Sequence, residues 1–316
     1  MTKKIAILLA TYNSTQFLAE QLDSLEKQTY SNWFLYALDD GSSDDTLEIL
    51  KAYQEKWGKS KLIIFSQPNK GCTYSFLSLV CNGDIKADYY AYCDHDDVWE
   101  ETKLERAISI LERNESEIPL LYCSSAKLVD KNNKIIGHSI IHRKSPCFRN
   151  ALVQNIASGN TMVFNKWARD LMGAVGIVDV PIHDWWTYLL ITACGGKVLY
   201  DALSFIRYRQ HGGNLIGYGG SRIRSLQDLS ERTKKFYSQQ RKYQYCLKNL
   251  IGMTASAKKT SQAFENSMYG NLVHRLFWFH KSRVFRQTWR ETVKLYIAMF
   301  LFPYVMLRGS SARLSK

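Results

Sequence analysis

"YYAYCDHDD", residues 89–97, sets five apolar or aromatic residues of strand length directly before three carboxylates in four positions. The run Tyr89–Cys93 reads as a buried strand. Asp94, Asp96 and Asp97, so close together, repel one another and raise each other's pKa unless something positive intervenes. A divalent cation that prefers hard oxygen ligands, Mg²⁺ or Mn²⁺, is the simplest such partner, with water and phosphate oxygens completing its shell.

The same arrangement recurs on either side of this stretch. Ile5–Ala10, Trp33–Leu38, Leu62–Phe65 and Leu120–Cys123 are further short apolar runs of strand length. Between them Phe17, Leu18, Leu22 and Leu25, then Leu47, Leu50 and Tyr53, and later Leu104, Ile108 and Leu111 recur at helical spacing. Alternating strands and helices predict right-handed crossovers and an α/β fold, a mostly parallel sheet with helices on both faces. Ligands of such sheets collect at the carboxyl ends of the strands. There the chain carries "TYN" (11–13), "DDGSSDDT" (39–46), "QPNKGC" (67–72) and "DHDD" (94–97). Taken alone, "DDGSSDDT" also fits a turn that caps a helix.

Length and charge bound the rest. A chain of 316 residues accommodates a catalytic domain and a smaller appendage. Seven scattered cysteines without a Cys-x-x-Cys spacing, an odd number, argue against a complete disulfide framework and fit a reduced cytoplasm. The N-terminal apolar run is too short for a signal peptide and reads as a first strand. Residues 1–220 hold 23 Lys+Arg against 25 Asp+Glu, and residues 221–316 hold 19 against 4, so the net charge of +13 comes from the last third. The predicted boundary lies near Gly217–Gly220, between a first domain (1–220, in two halves that divide at about 125) and a basic helical region (221–316).

The order "ATYN", "LDDGSSDDT", "NKG" and an Asp-x-Asp after the fourth strand resembles family 2 glycosyltransferases of the GT-A fold, over roughly residues 3–215. The resemblance implies a Rossmann-like sheet and a nucleotide-sugar donor. It puts Ala10, Thr11, Tyr12, Asn13, Asp40, Asn69 and Gly71 around the nucleotide, Asp94 near the ribose and metal, and Asp96 on the Mg²⁺ or Mn²⁺ ion that neutralises the diphosphate. Sugar transfer also needs a base for the acceptor hydroxyl, worth ~10²–10⁴-fold in rate. In "VPIHDWWTYLL" (180–190) the family's acidic residue at a helix start falls on Asp184, which as a plain structural element would be the N-cap of a helix burying Trp186, Leu189 and Leu190. His183 beside it would be structural or face the acceptor, and Trp185 would face the acceptor. So would Gly159 and Asn160 of "SGNTMVFN" (158–165), which resembles the family's acceptor-side strand and also reads as a plain β-hairpin. "YRQHGGN" (208–214) holds His211, where the family has a histidine completing the metal or diphosphate site. Arg209 fits phosphate binding or the covering of a helix end equally well.

"HDWW" together with "YRQHGGN" is similar to bacterial rhamnosyltransferases of rhamnose-rich cell-wall polysaccharides, including streptococcal rhamnan-assembly enzymes. That likeness implies transfer of L-rhamnose from dTDP-β-L-rhamnose to a lipid-linked acceptor with inversion. A UDP-hexose donor for another surface glycan is the alternative. The chain lacks the Gln-x-x-Arg-Trp motif of the processive synthases, which favours addition of one or a few sugars.

In the last third, Leu226, Leu229, Phe236, Tyr243, Leu247 and Leu250 keep a three–four spacing, for packing on the catalytic domain or for a homodimer contact. "LYIAMFLFPYVML" (295–307) is too short to span a bilayer. With Arg283, Arg286, Arg290 and Lys294 upstream, and Phe285, Trp289 and Val293 between them, it reads as an in-plane anchor on an anionic membrane, the inner face of the cell membrane, unless it is a buried terminal helix. Nucleic-acid binding explains the basic tail and leaves the strand-end carboxylates without a task. A catalytically silent scaffold leaves Asp94, Asp96, Asp184 and His211 equally unexplained. The expectation is therefore an enzyme with no nucleic-acid partner.

Overall fold

The computed structural model of the chain describes residues 2–114, 116–211 and 226–301. The first half alternates β1 (Ile5–Thr11), α1 (Leu18–Glu26), β2 (Trp33–Asp39), α2 (Thr46–Trp57), β3 (Leu62–Ser66), α3 (Cys72–Cys81) and β4 (Tyr89–Cys93). Strands β3-β2-β1-β4 are hydrogen-bonded in that order and all parallel. Parallel strands covered on both sides need no polar face, and every residue of β1 is buried. Its side chains alternate between two cores. Ile5, Ile7 and Leu9 meet Leu18, Leu22 and Leu25 of α1, whereas Ala6, Leu8 and Ala10 meet Phe76, Leu77 and Val80 of α3.

The second half is mixed. It runs through β5 (Val98–Trp99), α4 (Lys103–Glu112), β6 (Leu120–Val129), β7 (Ile135–His138), α5 (Phe148–Ala151), a 3₁₀ turn (Gly159–Thr161), β8 (Val163–Asn165), α6 (Lys166–Val175), α7 (His183–Ala193) and β9 (Lys197–Arg209). Antiparallel β8 joins β4 to β6; β9 lies parallel to β6 and carries β5 on its far edge, while β7 pairs with β6. The strand expected across 158–165 is a 3₁₀ turn over its first part and becomes strand only at Val163.

Four helices follow: α8 (Leu226–Lys248), α9 (Ala255–Asn266), α10 (Leu272–Ser282) and α11 (Trp289–Leu301). Tyr243, Leu247, Leu250, Phe264, Phe279 and Leu295 belong to the same buried core as Trp185 and Trp186 of α7. The α8 stripe open to a homodimer contact in the sequence thus faces inward, and the packing alternative holds for its described side chains. Asn150 donates to the Phe285 carbonyl (3.1 Å), Arg286 to that of Val153 (3.1 Å), and Gln287 exchanges hydrogen bonds with Lys144. Arg286, expected on a membrane face, is corrected by its bond to Val153 to a docking residue, and the Phe285 backbone is held by Asn150. No described helix is long and apolar enough to cross a membrane. The Gly217–Gly220 boundary, residues 212–214 of "YRQHGGN" and residues 302–307 of the apolar run lie outside the described residues.

Candidate active site

The loops at the carboxyl ends of β1, β2 and β3 bind one another through side chains. The Thr11 hydroxyl donates to Asp39 (3.1 Å). Asn13, in the left-handed region at φ 47°, accepts the Ser43 N–H (2.9 Å) and donates its own N–H to the Ser42 hydroxyl (2.9 Å). Asp40 is buried and accepts from Gln67 Nε2 (2.7 Å) and from the backbone N–H groups of Lys70 (2.9 Å) and Gly71 (2.7 Å), so it shapes the loop after β3. Gly41 has φ 79°, and a Cβ there would stand 3.0 Å from the Asn69 nitrogen; only glycine lets the two loops approach this closely. Ala10 is buried beneath them, while Asn69 and Tyr12 are exposed, Tyr12 by 49%.

After β4 the three aspartates divide their tasks. Asp94, Asp96 and Asp97 present ligand atoms within 4.8 Å of one another. Asp97 faces inward: it accepts Asn160 Nδ2 (2.6 Å) and the Arg209 backbone N–H (3.1 Å). Asp96 meets His211 Nε2 at 2.8 Å. Asp94 is partly accessible, and no donor among the described residues reaches its carboxylate. Burial, then the charges of Asp96 and Asp184, push its carboxyl up to about 8, against the opposing pull of Lys103. A partly accessible carboxylate without a hydrogen-bond donor among the described residues, next to a second one braced by an imidazole, fits a hard divalent cation. Asp94 and Asp96 are the residues that would hold it; Asp97 is spent on the fold.

Arg209 is fully buried and supplies this loop's support. Its Nε donates to the Asp96 carbonyl (2.8 Å), Nη1 to the Lys131 carbonyl (2.8 Å) and Nη2 to the Glu20 carboxylate, with Phe17 packed under the guanidinium and against His211. Both readings of Arg209 from the sequence are therefore replaced by a structural one.

Asp184 is not the N-cap. The cap position is Ile182, and Asp184 sits in the first turn of α7, from which its carboxylate reaches the 3₁₀ turn. It accepts the Gly159 N–H (2.9 Å) and Asn155 Nδ2 (3.0 Å). Burial raises its carboxyl to about 6, partly countered by these hydrogen bonds. A Cβ on Gly159 would lie 2.9 Å from His183 Nε2 and 3.2 Å from the Asp184 Cβ, which accounts for glycine at that position. His183 is buried against Phe76 (4.1 Å between ring centroids) and Tyr92 (5.0 Å), and neither ring nitrogen has a partner. Burial drives its pKa down to about 3, so it is a neutral imidazole.

Two expected acceptor contacts are corrected. Asn160 is 1% exposed, with its amide engaged by Asp97 and by the Ser158 hydroxyl (2.8 Å). Trp185 is buried beside Tyr243 and donates its indole N–H to the Ala151 carbonyl (2.6 Å). Both are framework. One residue escaped the sequence reading altogether: Lys103, buried with its ammonium over the Trp99 ring (3.1 Å) and donating to the Asn160 carbonyl (2.7 Å). The available signal was a lysine one turn before Ala107 and two before Leu111, on the apolar stripe of its helix.

Residues 6–171, just over half of the chain, match the family model "Glycosyl transferase family 2". The chain is 24% identical over 302 residues to the dTDP-rhamnosyl transferase RfbG of Shigella flexneri, covering 93% of this chain and 98% of that protein. It spans only 39% of the length of two uncharacterised Rickettsia glycosyltransferases that it matches at 28% identity. Among solved structures, S. aureus TarS 1–349 in complex with UDP-GlcNAc aligns with a TM-score of 0.60 and 16% identity over 88% of this chain and 79% of that one. The mannosyltransferase PcManGT of Pyrobaculum calidifontis, in complex with GDP-Man and Mn²⁺, aligns with a TM-score of 0.54 and 14% identity over 95% and 86%. At such identities the likeness establishes the fold, the GT-A arrangement.

Proposed function

The chain belongs to glycosyl transferase family 2, and on that premise we propose that it moves a sugar from a nucleotide-sugar donor onto an acceptor hydroxyl with inversion at the anomeric carbon. The observation that carries this reading is the pairing of Asp184 with the Asp94–Asp96 cluster: the 3₁₀ turn ties both, through Gly159 to Asp184 and through Asn160 to Asp97. Ala10, Thr11, Tyr12, Asn13, Asp40, Asn69 and Gly71 surround the nucleotide. Asp94 and Asp96, with His211 behind Asp96, hold a Mg²⁺ or Mn²⁺ ion, which when bound neutralises the charge developing on the leaving diphosphate.

Asp184 is the general base. Its carboxylate takes the proton of the acceptor hydroxyl as that oxygen bonds to the anomeric carbon; the bond from that carbon to the diphosphate breaks, and the electron pair leaves with the nucleoside diphosphate. A carboxyl held near 6 is ionised at neutral pH and still basic enough to accept a proton in the transition state. Gly159 and His183, buried and in close contact with Asp184, hold the base in place rather than meeting the acceptor.

The donor we favour is dTDP-β-L-rhamnose, supported by the near full-length likeness to a dTDP-rhamnosyl transferase, and the acceptor a lipid-linked cell-surface saccharide. A UDP-hexose donor is the second reading, supported by the UDP-GlcNAc bound to the aligned TarS fold. We assign catalysis to residues 1–220 and attachment to a membrane surface, on the cytoplasmic side, to 221–316. The test is nucleoside diphosphate release by the purified protein from dTDP-rhamnose and a panel of UDP-hexoses with Mg²⁺ or Mn²⁺. Release from dTDP-rhamnose is the expected result, release from a UDP-hexose alone selects the second reading, and release from no donor rejects the function.

A further inference from the structure

A cavity of about 700 Å³ opens away from the carboxylates, at the other end of α7. Arg106, Arg143, Lys144 and Lys197 line it. Its one lining carboxylate, Asp201, is already bound to Arg106 (2.8 Å) and accepts the Tyr122 hydroxyl (3.3 Å). The Nδ1 of His142, also in the wall, is buried and meets no hydrogen-bond partner among the described residues. Arg106 is held by Asp201, while Lys197 and Lys144 donate only to neutral oxygens, Asn114 Oδ1 (2.7 Å) and the Arg286 carbonyl (3.2 Å). With Arg143 they leave three charges of the wall not balanced by a carboxylate among the described residues, a seat for an anion of the kind Arg and Lys recognise in phosphate.

The chain leading into this seat is apolar and exposed. Ile135 and Ile136 on β7 are 51% and 57% accessible, and Ile140 and Ile141, immediately before His142, are 64% and 54% accessible. A row of exposed isoleucines running into a cationic cavity is unlike an ordinary solvated surface and marks a binding site for something apolar. Exposed apolar groups beside cations are the pattern of a surface that meets lipid.

The geometry points to a seat for the phosphate head of a polyprenyl phosphate carrier, its head among Arg143, Lys144 and Lys197 and its chain along Ile140 and Ile141. This rests on the proposed lipid-linked acceptor and says how that acceptor is held. Thr192, which lines the cavity, is two helical turns beyond Asp184 on α7. About 12 Å of helix axis separates the two, and the α7 residues between them are buried, so the seat would hold the carrier end of the acceptor and not its reacting sugar.

The test is flotation of the full chain with phosphatidylcholine vesicles carrying, at equal anionic charge, either a polyprenyl phosphate or phosphatidylglycerol. The expected result is at least tenfold tighter binding to the polyprenyl phosphate vesicles, a preference abolished by Arg143→Ala/Lys197→Ala and weakened by Ile140→Ser/Ile141→Ser. Equal binding to the two vesicles, or a preference that survives the cavity variant, overturns it. So does a dimer of the parent chain in sedimentation velocity that the isoleucine variant converts to monomer, because the strap would then belong to a second copy. Donor hydrolysis by water, followed in the same preparations without vesicles, separates the two claims: its loss in the parent chain rejects the transferase reading, and its persistence with no vesicle preference rejects only the seat.

Discussion

Asn160 Nδ2 donates to Asp97 Oδ2 at 2.6 Å, and its neighbour Gly159 donates its backbone N–H to Asp184 at 2.9 Å. Two consecutive residues thus register the acidic loop after β4 against Asp184 on α7. Lys103 braces the same turn from below through the Asn160 carbonyl. The spacing of the acidic loop and Asp184 is set by backbone and buried side chains, the kind of support that fixes a site's geometry.

The three aspartates should separate experimentally. Asp96→Ala removes a carboxylate whose partner is His211 and should abolish transfer and metal-dependent nucleotide binding with the melting temperature nearly unchanged. Asp97→Ala leaves Asn160 Nδ2 and the Arg209 N–H buried without acceptors, each costing about 1–3 kcal/mol, and should lower the melting temperature visibly. Full transfer in chelator, or equal melting temperatures for the two variants, would contradict this division.

Asp184→Asn keeps an acceptor for the Gly159 N–H and cannot take a proton. Donor affinity should survive while turnover falls ~10²-fold or more. Near-normal turnover in the Asn variant would reduce Asp184 to a framework residue.

The elevated Asp184 carboxyl also fixes the pH dependence. Activity requires the ionised form, so turnover should fall about tenfold per pH unit below about 6. Its effect on stability has the opposite sign. Because the folded value lies above the ordinary 3.8, the protonated form is favoured by folding, and this contribution is present below about 4 and lost as pH rises through about 6. A turnover profile flat between pH 5 and 7 would falsify the assignment.

Gly159→Ala tests the close approach at the turn. The added methyl would meet His183 Nε2 at 2.9 Å and the Asp184 Cβ at 3.2 Å, and packing leaves little room for either to yield. Turnover should drop at least tenfold with donor binding retained. An alanine variant with unchanged turnover would mean that the turn relaxes without moving the base.

The sequence made the donor half legible because its signals are local. Apolar runs of strand length ending in Asn, Asp and Gly carry both the strand and the loop chemistry, and β4 appears with the expected bounds, Tyr89–Cys93. Helix α3 is harder to read: "CTYSFLSLV" has an apolar residue on nearly every side, since it is covered by both α6 and α7, so no polar face marks its period. Asn160 and Trp185 read as acceptor contacts through the family resemblance, and Arg209 as a phosphate ligand or a helix-end cover. Their true partners, Asp97, Ala151 and Glu20, lie 63, 34 and 189 positions away, and no spacing rule reaches that far. Lys103 was hidden by its type, since lysine is seldom buried without a paired charge.

The helical region offers the last prediction, because its outer face differs from its docked one. Phe277, Trp289 and Val293 are exposed on α10 and α11, near the exposed cations Lys281, Arg283 and Arg290. Each basic residue near an anionic surface adds about 1 kcal/mol, so Lys281→Ala/Arg290→Ala should weaken binding to phosphatidylglycerol vesicles by roughly thirtyfold at low salt. Trp289→Ser should weaken binding at any salt, because it removes apolar insertion and not charge. Truncation is the poorer test: Phe279 and Leu295 belong to the core that α7 shares, so deleting residues 271–316 should destabilise the catalytic fold as well as detach it. Equal sedimentation of the parent chain with neutral and anionic vesicles, unaffected by either variant, would leave this face without a membrane role.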